Sequence, residues 1–272
     1  MNFKNSLMKS MVVLVLLAVG GNALAQSASS NKGNAFFLNL RGNFGYATCV
    51  DRSIIPFAFG GATKGLDAGF TDEWKRCYIQ FDFGWMQSTF QNPSGNTNYF
   101  SPKLEFLYSC RKPSSSRWHF WSGASIRGVV DFKLIPRLQN AQSTFSVFGN
   151  FAAEELVQCD FAYDKKDKSR PWMTAFFKFS LPLFTIASRP GFAYVQHHTN
   201  ETGPIRLLMI PNETSFKMFP GFTTDLGFTV NLRNGNRFSF GYCMDFLSTG
   251  KKGAYRYDNS YNIAYLQIMF KI

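Results

Sequence analysis

Residues 36–46 read FFLNLRGNFGY, and the character of the side chains alternates along the whole stretch. One set of alternate positions is mainly apolar and runs from Phe36 to Tyr46, whereas the set between them includes Asn39 and Arg41. Successive side chains of a β-strand point to opposite faces of the sheet. The stretch therefore predicts a strand with one apolar and one largely polar face.

The same alternation recurs in eight further blocks. Two of them are joined by Asn234-Gly235, a dipeptide that is a strong signal for a two-residue hairpin turn. Another two are joined by the short link 112–116. With the first block these predict nine strands, the further blocks being 77–86, 99–110, 117–130, 145–163, 175–183, 226–232, 238–246 and 262–272.

A tenth strand is expected because bacterial barrels made from one chain have even strand numbers. The short turns near residues 113, 167 and 235 lie on the same side as the C-terminus, and such barrels keep their short turns on the periplasmic side. One more strand is then needed between the first two blocks, and the candidate is Ile54–Gly61, with Ile55, Phe57 and Phe59. We predict ten strands, with eight or twelve as alternatives.

The sixth predicted strand has two consecutive acids, Glu154 and Glu155, within its apolar alternation. Both side chains cannot face the lumen in a regular pleat. We therefore expect a β-bulge or a rim position there.

A soluble sandwich or barrel would alternate in the same way, but three features favour a membrane barrel. The polar faces are rich in Asn, Gly, Ser, Asp and Arg rather than in Lys and Glu. The predicted strands exceed the roughly 5 to 6 residues usual in soluble proteins. Aromatic residues cluster near strand ends, where interface girdles are expected, namely Trp74, Trp85, Trp118, Trp172, Tyr242 and Tyr265.

The predicted fold class is all-β, a closed antiparallel transmembrane β-barrel of about ten strands. Closure pairs every backbone N–H and C=O group, as lipid requires. The predicted location is the outer membrane of a Gram-negative cell envelope. The long segments near 131–144, 188–217 and 248–258 then face outward from the cell.

The chain resembles the small outer-membrane β-barrel proteins. The block from Phe222-Thr223-Thr224-Asp225-Leu226-Gly227-Phe228 to Gly241-Tyr242 is similar to uncharacterised members from Bacteroidota-type bacteria. The resemblance implies that barrel-insertion machinery reads the C-terminal strand, often through a final aromatic residue. This chain ends in Ile272, so Phe270 would carry part of that signal.

Residues 1–25 have the features of a cleaved secretory signal. Lys4 and Lys9 precede the apolar run from Met11 to Val19, and Ala23-Leu24-Ala25 supplies an A-x-A cleavage site. The run is shorter than the roughly 20 apolar residues of a membrane-spanning helix. The predicted domains are therefore a signal peptide, 1–25, and an outer-membrane barrel domain, 26–272.

The polar faces define the candidate site, because they enclose the lumen if the apolar faces contact lipid. Barrels of this size are narrow, and large aqueous channels appear only at about 16 to 18 strands. Charges buried in so small a space must pair and share hydrogen bonds. We predict a polar, mainly closed lumen containing Arg41, Asp82, Lys103, Glu105, Arg127, Asp160, Lys178, Asp225 and Asp245.

The five cysteines, at positions 49, 77, 110, 159 and 243, show no C-x-x-C spacing. We expect no metal site and no cofactor. One or two disulfides are an alternative in an exported protein. Free thiols are favoured because 77, 110 and 159 fall in apolar stripes, where a buried thiol behaves as a small hydrophobic group.

One motif has a catalytic appearance. His197 and Thr199, in His197-His198-Thr199-Asn200-Glu201, would project on the same side of a strand, as a base and a hydroxyl nucleophile must. The motif is similar to the His-x-Ser-Asn motif of outer-membrane phospholipase A and of the lipid A deacylases, with Thr in place of the nucleophilic Ser. An exposed polar loop explains the same residues.

The function predicted from these observations is non-enzymatic, in surface interaction or envelope structure. A lipid hydrolase that uses His197 and Thr199 is one alternative, and a small-solute pore is another. The expected partners are outer-membrane lipids, through basic turns such as Arg111-Lys112 and Lys165-Lys166, and the insertion machinery. We expect a monomer and no nucleic-acid partner, because no recognition module accompanies the positive charge.

Overall fold

The computed structural model describes residues 34–52, 58–74, 76–92, 95–112, 117–134, 143–163, 171–190, 212–250 and 256–272. The predicted signal segment 1–25 lies outside these ranges. In the described chain no helix is long and apolar enough to cross a membrane. The strands are β1 Ala35–Asp51, β2 Ala58–Glu73, β3 Cys77–Asn92, β4 Gly95–Arg111, β5 Trp118–Leu134, β6 Ser143–Tyr163, β7 Pro171–Pro190, β8 Asn212–Met218, β9 Gly221–Asn231, β10 Arg237–Thr249 and β11 Tyr257–Lys271.

Antiparallel pairing closes these strands into a barrel. Each strand from β1 to β7 pairs with the next, and β9, β10 and β11 pair in turn, with β11 joining β1. Both β8 and β9 pair with β7, so together they occupy one position in the wall. The predicted closed antiparallel barrel with ten wall positions is confirmed.

The strands are tilted, as the register around the wall shows. A path through directly paired residues leaves Ala35 and returns to β1 at Ala47, twelve residues further on. Such a stagger accompanies a strand tilt of roughly 35–45° in membrane barrels. The path runs through Glu73, Tyr78, Ser109, Gly123, Glu154, Ser180, Thr223, Asp245 and Tyr261.

Alternation places the apolar stripes on the outside of the wall. On β1, Phe44 and Tyr46 are 61% and 51% exposed, whereas Asn39 and Asn43 point inward and are buried. Trp118 and Trp172 are exposed near the end of the barrel where β1 begins and β11 ends. We call this end the inner end and the opposite one the outer end.

The prediction that Tyr265 belongs to an interface girdle of aromatic residues is wrong. It lies on the inward face of β11 and is only 4% exposed, because Ala264 and Leu266 take the outward positions on either side. Tyr242, by contrast, is exposed on the outer face.

The second strand is also displaced from its predicted position. β2 begins at Ala58 and continues to Glu73, well beyond the candidate Ile54–Gly61, of which residues 54–57 lie outside the described ranges. Phe59 points inward and is buried. The physical reason is composition: β2 has Gly and Ala at many positions on both faces, so it lacks the large apolar stripe that marks the other strands.

The expected bulge at Glu154-Glu155 is wrong. The two acids lie on opposite faces of a regular pleat, with Glu154 buried and Glu155 exposed. The register shifts between β6 and β7 occur instead between Phe151 and Ala152 and around Asp160–Ala162.

Two of the expected free thiols form a disulfide, Cys77–Cys110. The residues are direct register partners on β3 and β4, with Cα atoms 4.0 Å apart. Spacing along the chain could not show this, because the pairing depends on how two strands align. Cys49, Cys159 and Cys243 are free thiols.

Candidate functional site: the barrel lumen

All nine predicted lumen residues occupy inward-facing positions. Five of them form direct ion pairs with one another. Arg127 contacts Asp245 at 2.8 Å and Glu105 at 3.2 Å, which links β5 to β10 and β4. Arg41 lies 3.5 Å from Asp225, which joins β1 to β9. The Arg127–Asp245 and Arg41–Asp225 contacts join strands that are not neighbours in the wall, whereas Glu105 lies opposite Arg127 on the adjacent strand.

The other four predicted residues contact groups that were not predicted as lumen members. Lys103 lies 3.2 Å from Asp67, and Lys178 lies 3.6 Å from Glu154. Asp160 accepts a hydrogen bond from Thr174 at 2.8 Å and lies 2.9 Å from His119. Asp82 accepts a hydrogen bond from Gln80.

Sequence reasoning missed Asp67 and Glu154 for separate reasons. Asp67 lies on the Gly-rich strand β2, which was placed too early in the chain. Glu154 was assigned to a bulge or rim because a second acid follows it. Strict alternation through 154–155 would have placed Glu154 inside and Glu155 outside.

Tyr265 belongs to the centre of the lumen. Its hydroxyl donates to Asp225 at 2.6 Å, and the Arg41 guanidinium lies 3.5 Å from the centre of its ring. Arg41 is therefore held by a carboxylate and by an aromatic face. Cation–π contacts of this kind strengthen when they are shielded from water.

A small polar cavity lies among these ion pairs. Its volume is about 40 Å³, which is large enough for water molecules but not for a larger solute. Basic and acidic side chains both line it, so no single sign of charge dominates. The lining residues are Asn39, Arg41, Asp67, Gln80, Asp82, Lys103, Glu105, Leu107, Lys178 and Gln267.

The inner mouth is crossed by a bidentate ion pair. Arg237 contacts both carboxylate oxygens of Glu73, at 2.5 and 2.8 Å, and its guanidinium lies 4.3 Å from the centre of the Phe37 ring. The planar fork of Arg suits such two-point contacts with carboxylates. Arg237 and Glu73 join β10 to β2 over the intervening strands β11 and β1.

The outer end is filled by an apolar and aromatic cluster. The buried members are Ala47, Cys49, Phe59, Phe90, Tyr99, Phe148, Ala187 and Tyr257, which we call the outer core. Tyr99 packs against Phe90 with ring centres 5.1 Å apart, and Tyr257 packs against Phe148 at 4.9 Å. Tyr257 is the first residue of β11, so this cluster lies close to the outer strand ends.

Hydrogen bonds join several buried polar groups within and around the outer core. Asp131 accepts hydrogen bonds from Ser101 and Tyr257, and Asn259 donates to Tyr99 at 3.0 Å. Lys133 donates to Asp51 at 2.7 Å. Such partners offset the cost of burying a polar group away from water.

In this arrangement the acidic and basic side chains of the lumen neutralise one another, and the outer core packs the outer end of the barrel. The predicted lumen cations are each paired with a carboxylate. The described residues contain no group of three or more His, Cys, Asp or Glu that could hold a metal ion. His197 and Thr199 lie outside the described residues, so their proposed chemistry stays a prediction.

The strands are also longer than a bilayer requires. β2 has 16 residues and β6 has 21, whereas a strand that spans a membrane needs about 9–11. The outer core lies toward the outer strand ends, and the exposed side chains on the wall beside it include Phe132, Ile186 and Phe216, so the apolar exterior continues there.

Comparison with known proteins supports the fold. The outer-membrane protease OmpT of Escherichia coli matches with a TM-score of 0.51 at 6% identity, over 89% of this chain and 98% of OmpT. The present chain is an outer-membrane β-barrel. At so low an identity the likeness shows the fold alone. The closed wall and apolar outer surface place the chain in the outer membrane.

Other solved structures match less well. Neisserial surface protein A gives a TM-score of 0.33 at 11% identity, over 88% of this chain and 100% of its own. The translocator domain of the autotransporter NalP from Neisseria meningitidis gives 0.41 at 9%, over 96% and 97%. No family model and no curated protein matches the chain. The resemblance to a Bacteroidota-type family therefore stays a prediction.

Proposed function

We propose that this outer-membrane barrel is a non-enzymatic, non-conducting protein that anchors external segments at the cell surface. The observation that carries the proposal is the filling of its interior. Ion pairs cross the lumen at the inner mouth and at mid-height, and the outer core fills the opposite end. A solute would have to break both kinds of contact to pass.

The energetics favour a closed resting state. Removing one partner of a buried ion pair leaves an uncompensated charge, which is strongly unfavourable. Separating the outer core would expose aromatic surface to water as well. The packed interior therefore makes the barrel stiff and closed. The segments that join the outer strand ends are then the parts of the protein that can contact other molecules.

Planar-bilayer recording tests the proposal. The purified wild-type protein is expected to give no conductance steps. A triple variant, Tyr257→Ala, Arg127→Ala and Arg237→Ala, removes one filling side chain at each level and is expected to conduct. Tyr242→Ala is the matched control, because Tyr242 lies on the outer face, and it should stay silent.

Conductance steps from the wild-type protein would contradict the proposal and support the small-solute pore. Silence of the triple variant, in protein shown to be folded, would mean that these three side chains are not what closes the barrel.

The lipid hydrolase stays a separate prediction from the sequence. It requires that Thr199→Ala abolish release of fatty acid from phospholipid or lipid A. Unchanged release would exclude Thr199 as the nucleophile.

A further inference from the structure

An apolar groove of about 390 Å³ lies on the lipid-facing side of β9, β10, β11 and β1, and its size is typical of small-ligand pockets. Its floor includes Ala264, whose register partners Tyr242 on β10 and Phe44 on β1 are both large. The groove is two strand spacings wide there, about 9–10 Å between Cα atoms, which leaves room for one hydrocarbon chain. The side chains of its walls are Phe44, Leu226, Phe228, Phe240, Tyr242 and Leu266.

The outward stripes change from apolar to polar at the outer end of this groove. On β11 the outward residues are apolar from Phe270 to Ala264 and polar from Asn262 to Asp258. On β2, Leu66 is followed toward the outer end by Lys64, whose side chain is exposed. Rows of register partners climb toward the outer end from β11 through β1 to β2, so Asn262 and Lys64 lie at similar heights. On this side of the barrel the change marks a boundary between hydrocarbon and headgroups.

Three hydrogen-bond donors surround the outer end of the groove, and we call them the collar: Tyr46, Lys64 and Asn262. The Tyr242 hydroxyl donates to Asn262 Oδ1 at 2.7 Å, which leaves the amide hydrogens of Asn262 available. Tyr46 is the register partner of Asn262, and its hydroxyl extends over Gly60, where an added Cβ atom would be 2.5 Å from it. The Tyr46 side chain therefore points toward the outer end.

The charge of the collar is uncompensated within the described part of the chain. Lys64 makes no ion pair with an acidic side chain of the described residues. Charged groups on a lipid-facing wall are costly unless they reach an anionic partner or water at the interface. A negatively charged group held above the groove would supply that partner.

We propose that the groove and the collar together bind one outer-leaflet lipid with a phosphorylated head. One acyl chain lies in the groove, the phosphate contacts Lys64, and Asn262 and Tyr46 donate to the head. The positive charge of Lys64 favours a phosphorylated lipid over a neutral one. The apolar walls favour an acyl chain over a peptide, because the backbone groups of a peptide would find no partners in the groove.

This site is separate from the lipid contacts predicted for the basic turns, because those turns lie at the inner end. It is also independent of the proposed closure of the lumen, because its side chains lie on the opposite side of the wall from the ion pairs. The site adds a bound lipid to the surface that the barrel presents in the outer leaflet.

Native mass spectrometry of the folded protein in detergent tests the site. The probes are lipid A with a single phosphate and the same lipid after enzymatic removal of that phosphate. Lys64→Gln removes the charge of the collar, and Ala264→Trp fills the groove. The matched controls are Lys271→Gln, at an exposed position at the inner end of β11, and Ala153→Trp, at a lipid-facing position on β6.

The wild type and both controls are expected to retain one phosphorylated lipid per barrel and to bind the dephosphorylated lipid about fivefold more weakly. That factor is the size expected for one lysine near an anionic head. Lys64→Gln should bind the two lipids equally, with its affinity for the phosphorylated form reduced about fivefold. Ala264→Trp should bind both forms more weakly than Ala153→Trp does.

Faster migration of unboiled samples on gels shows that each variant is folded. The proposal is overturned if the wild type binds the two lipids equally or retains none, or if the only adduct is a second copy of the protein. It is also overturned if folded Lys64→Gln still distinguishes the two lipids, or if folded Ala264→Trp binds them as the wild type does.

Discussion

At the scale of single residues, Asp51 shows how the outer end is held together. Its side chain is fully buried and contacts both Lys133 and Arg189, which come from β5 and β7. Lys133 also lies 4.6 Å from the centre of the Tyr257 ring. One carboxylate at the end of β1 thus offsets two buried cations beside the outer core.

Replacing Asp51 with Ala is expected to reduce the free energy of unfolding by about 3–5 kcal/mol, because two buried cations lose their shared counter-ion. Urea unfolding in lipid vesicles, followed by tryptophan fluorescence, measures the change. Arg256→Ala is the control: Arg256 is 46% exposed beside Asp258, and such surface pairs contribute about 0–1 kcal/mol. Equal unfolding midpoints for the two variants would contradict the role given to Asp51.

At the scale of elements, β8 and β9 form one interrupted strand. Phe219 has a positive φ of 48°, an unusual conformation for a residue other than Gly, and Pro220 follows it without a backbone N–H. The Phe219 N–H still donates to Leu183 at 3.1 Å, and the Pro220 carbonyl accepts from Ser248 at 2.7 Å. The wall therefore stays joined on both sides of the break.

The disulfide between β3 and β4 is a second element-scale feature and leads to a prediction. Denatured, non-reduced protein is expected to react with a thiol-alkylating reagent at three cysteines, because Cys49, Cys159 and Cys243 are free. After reduction, all five cysteines of the chain should react. Intact-mass measurement counts the labels. Labelling of all five without reduction would contradict the Cys77–Cys110 bond.

At the scale of the whole molecule, the barrel has two zones along its axis. The inner zone has an interior of ion pairs such as Arg127–Asp245. The outer zone has a packed aromatic interior around Tyr99 and Tyr257. The same wall serves both zones, because most strands run through both and β8 and β9 together complete the remaining position.

This arrangement predicts the orientation of the chain. An epitope inserted after Thr199, between β7 and β8, is expected to be labelled by antibody on intact cells. An epitope inserted after Ser115, in the short link between β4 and β5, should be labelled only after the outer membrane is permeabilised, because short turns face the periplasm. The reverse pattern would show that the inner and outer ends have been exchanged.

The faces of most strands could be predicted from the sequence, because alternation is a local property. Phe44 and Asn43 point to opposite sides of β1 as their positions require. The strand count was also predictable, since turns and even numbers constrain it. β2 was misplaced because its small residues carry little apolar contrast on either face.

By itself the sequence determined, for most strands, which side chains face lipid and which face the lumen, since each pleat turns successive residues to opposite sides. Only the tertiary structure decided which lumen charges meet. Arg41 pairs with Asp225 and Lys103 with Asp67, across strands whose relative register depends on closing the whole wall. The same closure set Cys77 opposite Cys110 and turned Tyr265 onto Arg41. Register and closure are properties of the complete barrel, so no local pattern could reveal them.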